Sequence, residues 1–277
     1  MNFRTAISAL IFSAAAAVGS AQVIAFPDFS TTTGLTLNAA DLANNHILLA
    51  ANQQNRSGSI FTSTQLDVSG FSAVFEFRIS SPGGTSDGIS AGADGIAFVL
   101  QRSGATALGG NGEALGYGQR GGTPAISPSV AVEFDTFKNT WDPSTNHLGI
   151  NTGGNLTSVA SVHVPDAFDN GTTWTAWVDY NGSVLEVRLS QNGVRPETAT
   201  LAHTLDIVAT LGGASAFIGF TGATGSAFGT HEILNFAYAD SYLSGGLAAV
   251  PEPSTYALMA LGLGLVGLTM RRRRTRG

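Results

Sequence analysis

Between positions 133 and 147 the chain reads Glu133-Phe134-Asp135-Thr136-Phe137-Lys138-Asn139-Thr140-Trp141-Asp142-Pro143-Ser144-Thr145-Asn146-His147. Three carboxylates, the Asn139 amide and an imidazole are thus gathered in one short stretch. On a β-strand alternate side chains share a face, so Glu133, Asp135 and Phe137 are expected to point the same way. Asp142-Pro143 predicts a turn, and His147 opens a second alternating run, His147-Leu148-Gly149-Ile150-Asn151. The chemistry this spacing suits is metal ligation, with donors for two neighbouring ions. Asp135, Asn139, Asp142 and a backbone carbonyl form a hard oxygen set for Ca²⁺. Glu133, Asp135, Asp142 and His147 form a mixed set for Mn²⁺ or another transition metal, because imidazole joins carboxylate there. Singly, each residue has an ordinary explanation: acidic groups near a strand end are usually a solvated edge, and a lone histidine is more often hydrogen-bonded than metal-bound.

The elements that must position these donors are strands. The chain has 277 residues, a formal charge of −6, 35 Gly, 9 Pro and no Cys, and only 12% of its residues are charged. The absence of cysteine excludes disulfide staples. The abundance of Gly, Ser, Thr, Ala and Val favours an all-β protein rich in turns. Alternating segments are expected at Phe71 to Ser80, Gly95 to Gln101, Ser129 to Phe137, Trp174 to Tyr180, Val184 to Ser190 and Ala216 to Phe220. Tyr180-Asn181-Gly182-Ser183 predicts a hairpin with a type I′ turn at Asn-Gly. In the run after it, Leu185, Val187 and Leu189 are expected to face a core, with Glu186, Arg188 and Ser190 facing solvent. Two such sheets packed together make a single sandwich domain over residues 22–243. Between the two ends the basic residues are Arg56, Arg78, Arg102, Arg120, Lys138, Arg188 and Arg195, with no basic cluster, which argues against a nucleic-acid partner.

Both ends are set apart from that domain. Arg4 precedes an apolar stretch from Ala6 to Val18, followed by the small residues Gly19-Ser20-Ala21, so residues 1–21 are expected to be a secretory signal peptide cut by signal peptidase. At the other end a linker, residues 244–250, leads through Pro251-Glu252-Pro253 to an apolar segment from Tyr256 to Met270. It closes with Arg271, Arg272, Arg273 and Arg274, an order that keeps the arginines on the cytoplasmic side.

Residues 133–151 resemble the metal-binding segment of the legume-type (L-type) lectins, V-E-F-D-T-F-x-N-x-x-D-P followed by H-[IVL]-G-I, with every ligand position filled. Ala93-Asp94-Gly95-Ile96-Ala97-Phe98 resembles the family's A-D-G-[LIM]-A-F, and Ile218 to Gly225 with His231-Glu232-Ile233-Leu234 its closing segment. The resemblance implies a concanavalin-like jelly roll of two antiparallel sheets and metal ligands Glu133, Asp135, the Phe137 carbonyl, Asn139, Asp142 and His147. It also implies a sugar site made by Asp94 after a cis peptide bond, the amide of Asn139 and the ring of Phe137. A backbone N–H from the loop Gly109–Gly116, Gly112 being the best candidate, and the specificity loop Gly225–Thr230 with Ser226 and Ala227 would complete it. The loop departs from the family pattern, since Glu113 stands where a glycine usually precedes Leu115-Gly116. The serine that anchors a metal-bound water in the family falls near Thr157 or Ser158, and the register does not choose between them.

Residues 251–277 resemble the PEP-CTERM sorting signal. That likeness implies recognition by an exosortase, transient anchoring through the apolar helix, and display on the surface or in the matrix of a Gram-negative bacterium. The combined expectation is an exported, metal-dependent lectin for a glycan or exopolysaccharide, with oligomerisation as a possible source of avidity. A non-binding structural protein of the matrix is the alternative. A laminarinase-like hydrolase, whose motif E-x-D-x-(x)-E would begin at Glu133 and Asp135, is disfavoured because Phe137 and Lys138 stand where its second glutamate belongs.

Overall fold

The computed structural model describes residues 23–88 and 91–249, so the expected signal peptide and sorting helix lie outside the described residues. Those residues form two antiparallel sheets of eight strands each. In the first, the order is Leu201–Thr204, Val184–Ser190, Trp174–Tyr180, Phe71–Gly84, Ala227–Ala239, His46–Ala50 and Asp41–Ala43, with Val23–Phe26 also paired to Ala227–Ala239. In the second, it is Ala160–His163, His147–Thr152, Ser129–Asp135, Gly95–Gln101, Ser215–Ala223, Ser57–Thr62 and Leu35–Asn38, with Leu66–Asp67 added to Ser215–Ala223.

Alternation explains how the sheets meet. Phe75 and Phe77 from the first sheet interleave with Phe98, Phe134 and Phe220 from the second, all of them buried. Ring centroids lie 4.8 Å apart for Phe75–Phe220 and for Phe77–Phe134, in tilted or edge-on arrangements, the geometry that aromatic quadrupoles prefer. Phe134 matters for function because it anchors the strand whose neighbours, Glu133 and Asp135, point to the other face. The expected strand through Phe137 ends earlier, at Asp135. There the Asp135 carboxylate accepts the Phe137 N–H at 2.8 Å and turns the chain out of the sheet.

Two local expectations change. The hairpin after Tyr180 exists, with Tyr180 opposite Leu185. Its positive φ, however, falls on Gly182 (+92°) and not on Asn181, so Gly182-Ser183 occupy the centre of a II′-like turn rather than Asn-Gly a type I′ turn. The Asn181 side chain causes the shift: its Oδ1 accepts the N–H groups of Ser183 (3.0 Å) and Val184 (2.9 Å). Arg188, expected at solvent, is buried. It lies 3.5 Å from Asp179 and 3.1 Å from Glu186, and Arg195 covers the same aspartate at 2.6 Å. A charge on the outer face of a sheet can be buried when partners surround it.

The outer face of the first sheet is covered by the chain's own C-terminal segment. Leu247 and Ala249 pack on Trp177, Val74 and Ala237, Trp177 Nε1 donates to the Leu247 carbonyl at 3.0 Å, and the Leu243 N–H donates to Ser72 Oγ at 3.0 Å. Residues 244–249 of the expected linker are therefore laid against the domain.

Candidate metal and carbohydrate site

Strand pairing brings the donors together. His147 lies opposite Asp135 and Gly149 opposite Glu133 across one ladder, while Gly95 lies opposite Asp135 on the other side. Asp94 is thereby delivered to the same end of the sheet as the metal-ligand segment. Ligand atoms of Asp135, Asp142 and His147 all lie within 4.8 Å of one another. His147 Nε2 is 3.2 Å from Glu133 Oε1 and 3.9 Å from Asp142 Oδ1. The loop between the strands is closed by its own groups: the Asn139 N–H donates to Asp142 Oδ2 at 2.6 Å, the Asp142 N–H to the Asn139 carbonyl at 3.2 Å, and Asn139 Nδ2 to the Phe137 carbonyl at 3.5 Å. Phe137 is half-buried, while Glu133, Asp135 and His147 are buried.

The electrostatics of this cluster call for a cation. Burial pushes the Asp135 carboxyl well above its ordinary range, and the Asp142 and Glu133 carboxylates push it further. Asp142 is also raised by burial, against the pull of the Asn139 N–H and His147. Like charges that share a water-poor site cannot all ionise unless a positive charge is placed among them. The packing is shaped for the same end. A Cβ on Gly149 would collide with Glu133 Oε1 and with Ser158 Oγ, and in its absence Ser158 Oγ donates to Glu133 Oε1. Ser158 also reaches Asn151 Oδ1 at 3.4 Å. The sequence pattern left Thr157 and Ser158 undecided; the geometry puts Ser158 against the ligand set. The carboxylate, amide, carbonyl and imidazole donors fit a hard Ca²⁺ position beside a mixed transition-metal position.

Asp94 follows the Ala93–Asp94 peptide bond, which is cis. Its N–H donates to the Ala223 carbonyl at 3.0 Å and its carbonyl accepts the Thr136 N–H at 3.0 Å, so its backbone links the candidate metal segment to the Ser215–Ala223 strand. Asp94 is 5% exposed, and its Oδ2 has no hydrogen-bond partner among the described residues. Burial, reinforced by Glu113, pushes its pKa up to about 8, with Arg120 and the Gly225 N–H pulling the other way. Space beside it is tight: a Cβ on Gly225 would lie 3.2 Å from both Asp94 Oδ2 and Gly112 Cα.

Two neighbouring expectations are altered. The Gly112 N–H, expected to face a sugar, donates to the Thr224 carbonyl at 3.0 Å, and Gly112 takes a left-handed φ of +61° at the start of the Gly112–Ala114 turn. The loop expected over Gly225–Thr230 is contracted, since the strand Ala227–Ala239 already begins at Ala227. Ser226 is exposed in what remains, its carbonyl held by Gln54 Nε2 at 3.0 Å. Ala227 is buried and paired with Gly84, so its side chain offers no reach.

Comparison with known proteins places the chain in a family. The legume lectin domain family matches residues 10–247, and the PEP-CTERM protein-sorting motif matches residues 249–274. The basic agglutinin of Psophocarpus tetragonolobus is 33% identical over 194 residues, which are 66% of this chain and 74% of that protein. Seed agglutinin 2 of Robinia pseudoacacia is 32% identical over 207 residues, covering 72% of this chain and 69% of its own. The solved lectin from Bauhinia forficata in complex with GalNAc superposes with a TM-score of 0.66 at 26% identity, over 79% of this chain and 98% of that one. The chain belongs to the legume lectin domain family, as a carbohydrate-binding lectin rather than an enzyme, and it carries a C-terminal PEP-CTERM motif for export and surface sorting.

Proposed function

We propose that this lectin binds a glycan or exopolysaccharide outside the cell through a site centred on Asp94, and that Ca²⁺ and Mn²⁺ order that site. The observation that carries the proposal is the buried, partnerless Oδ2 of Asp94 beside the Asp135–Asp142–His147 cluster. A buried acceptor left without a donor is costly, and a sugar hydroxyl supplies one. Ca²⁺ would be held by Asp135, the Phe137 carbonyl, Asn139 and Asp142, and Mn²⁺ by Glu133, Asp135, Asp142 and His147. Bound there, the ions supply fixed positive charge and perform no chemistry on the sugar. The chain's own groups do the recognising: Asp94 accepts from hydroxyls, the Asn139 NH₂ donates, and the Phe137 ring packs on an apolar sugar face. Ser226 closes the rim, with Gly112 and Ala227 as backbone around it.

A shallow polar site of this kind binds one sugar weakly, and a millimolar constant corresponds to about 4 kcal/mol. Many copies on one surface, or an oligomer, multiply that affinity. The sorting tail would provide this arrangement. Residues 1–21 are cut by signal peptidase, the apolar segment from Tyr256 to Met270 anchors the chain transiently, and an exosortase cuts near Pro251-Glu252-Pro253. The test is a glycan array of the purified full chain in detergent with Ca²⁺ and Mn²⁺, repeated after EDTA. Binding that disappears with chelator and returns with metal is expected. Failure to bind any glycan while both ions are present would instead favour a purely structural role in the matrix.

A further inference from the structure

The amide that should complete the sugar cradle is committed to Thr224, yet the same loop presents other groups to Asp94. Glu113 and Arg120 are the charged side chains that act most strongly on Asp94. Arg120 Nε donates to Glu113 Oε1 at 2.8 Å, Nη1 donates to Asn111 Oδ1, and the guanidinium rests on Gly112. A Cβ at Gly112 would lie 3.0 Å from Arg120 Cζ. Gly112 in turn closes on Asp94 through Gly225. The order Asp94, Gly112, Arg120 thus spans one wall of the site. Arg120 and Glu113 are each about a third exposed there (35% and 32%). Arg120 Nη2 and Glu113 Oε2 have no partner among the described residues.

We propose that the Glu113–Arg120 pair is the third arm of the cradle, and that it selects an uncharged sugar presenting two neighbouring hydroxyls on the edge away from Asp94. It rests on the sugar site proposed above. A hydroxyl both donates and accepts, so a free carboxylate oxygen beside a free guanidinium N–H matches a pair of them in a way one backbone N–H does not. A uronate carboxylate placed against the free oxygen of Glu113 meets repulsion there. Such a mismatch acts as a filter on the ligand's charge. Glu113, which departs from the family's glycine, is then the residue that gives this chain its own preference.

The experiment is an array of neutral hexosides paired with their uronic acid counterparts, probed with the full chain and with Glu113→Gln, Arg120→Met and Asp94→Ala. Wild type should capture the neutral member of a pair. Glu113→Gln and Arg120→Met should each weaken that binding about tenfold or more, or about 1.4 kcal/mol, with metal content and melting temperature held. Unchanged binding in both variants, or a wild-type preference for uronates, overturns the proposal. If a variant melts early, the wild-type choice between neutral and uronate members decides by itself. Binding that survives in Asp94→Ala would overturn the underlying site. Loss in Asp94→Ala with no change at Glu113 or Arg120 would overturn this inference alone.

Discussion

Ser158 Oγ donates to Glu133 Oε1 directly over Gly149, and the two meet only because residue 149 has no Cβ. Gly149→Ala forces that contact apart. Overpacking of this kind costs about 1–3 kcal/mol, and here the strain falls on a proposed metal ligand. The variant should fold with a lower melting temperature and retain less transition metal than Ca²⁺ by elemental analysis. Full occupancy of both ions would show that Glu133 and Ser158 do not serve the His147 position.

Asp94 offers a way to separate the proposed recognition from the proposed metal binding. Its backbone is held by Ala223 and Thr136 whatever the side chain, and its Oδ2 bonds to nothing within the protein. Asp94→Ala should therefore abolish glycan binding while metal content and melting temperature stay close to wild type. Retained binding would remove Asp94 from the site.

Asp135 lies between the two proposed ion positions, within reach of His147 and Asp142 on one side and tied to the Phe137 N–H on the other. Asp135→Ala is expected to lose both ions and glycan binding together. Elemental analysis showing both ions still bound would overturn the ligand assignment.

Much of this site was legible because its spacing is local. Glu133, Asp135, Asp142 and His147 sit on one hairpin, and alternation alone put Glu133 and Asp135 on one face. What pattern could not supply depends on contacts between distant segments. Ser158 joins Glu133 across 25 positions, and the Gly112 N–H is taken by a carbonyl from Thr224. Arg188 looks solvent-facing by alternation, but Asp179 and the Arg195 segment cover it. The turn at Asn181 departs from the Asn-Gly pattern because an asparagine side chain can accept two backbone N–H groups and stay out of the left-handed region itself. In each case the fold class was readable from periodicity, and tertiary partners decided the detail.

The carboxyl cluster sets a pH dependence with a definite sign. In the metal-free protein Asp94 is raised to about 8 and Asp135 well above its ordinary value, so between the unfolded value of ~4 and these folded values the native state holds more protons than the unfolded chain. Stability then falls as pH rises through that window. After EDTA treatment the melting temperature should be higher at pH 5 than at pH 8. Saturating Ca²⁺ and Mn²⁺ should flatten or reverse the trend, because cations replace the protons and bind more tightly as pH rises. A metal-free melting temperature that climbs from pH 5 to 8 would contradict the shared-cluster electrostatics.

The C-terminal segment ties the folded domain to its sorting signal. Trp177 is buried although it faces outward from the sheet, and what covers it is Leu247, Ala249 and the Leu247 carbonyl on its Nε1. The PEP tripeptide starts at Pro251, two positions beyond the packed Ala249. Where the tail is cut then bears on stability as well as on anchoring. A chain ending at Leu243 re-exposes Trp177 and loses the Leu247 contact, at a cost of about 2 kcal/mol. At roughly 2–4 °C per kcal/mol for a domain of this size, that lowers the melting temperature by about 4–8 °C. A chain ending at Ala249 should melt like the full protein, and its Trp177 fluorescence should remain that of a buried indole. Equal melting of the two truncated chains would mean that the segment contributes nothing to the fold.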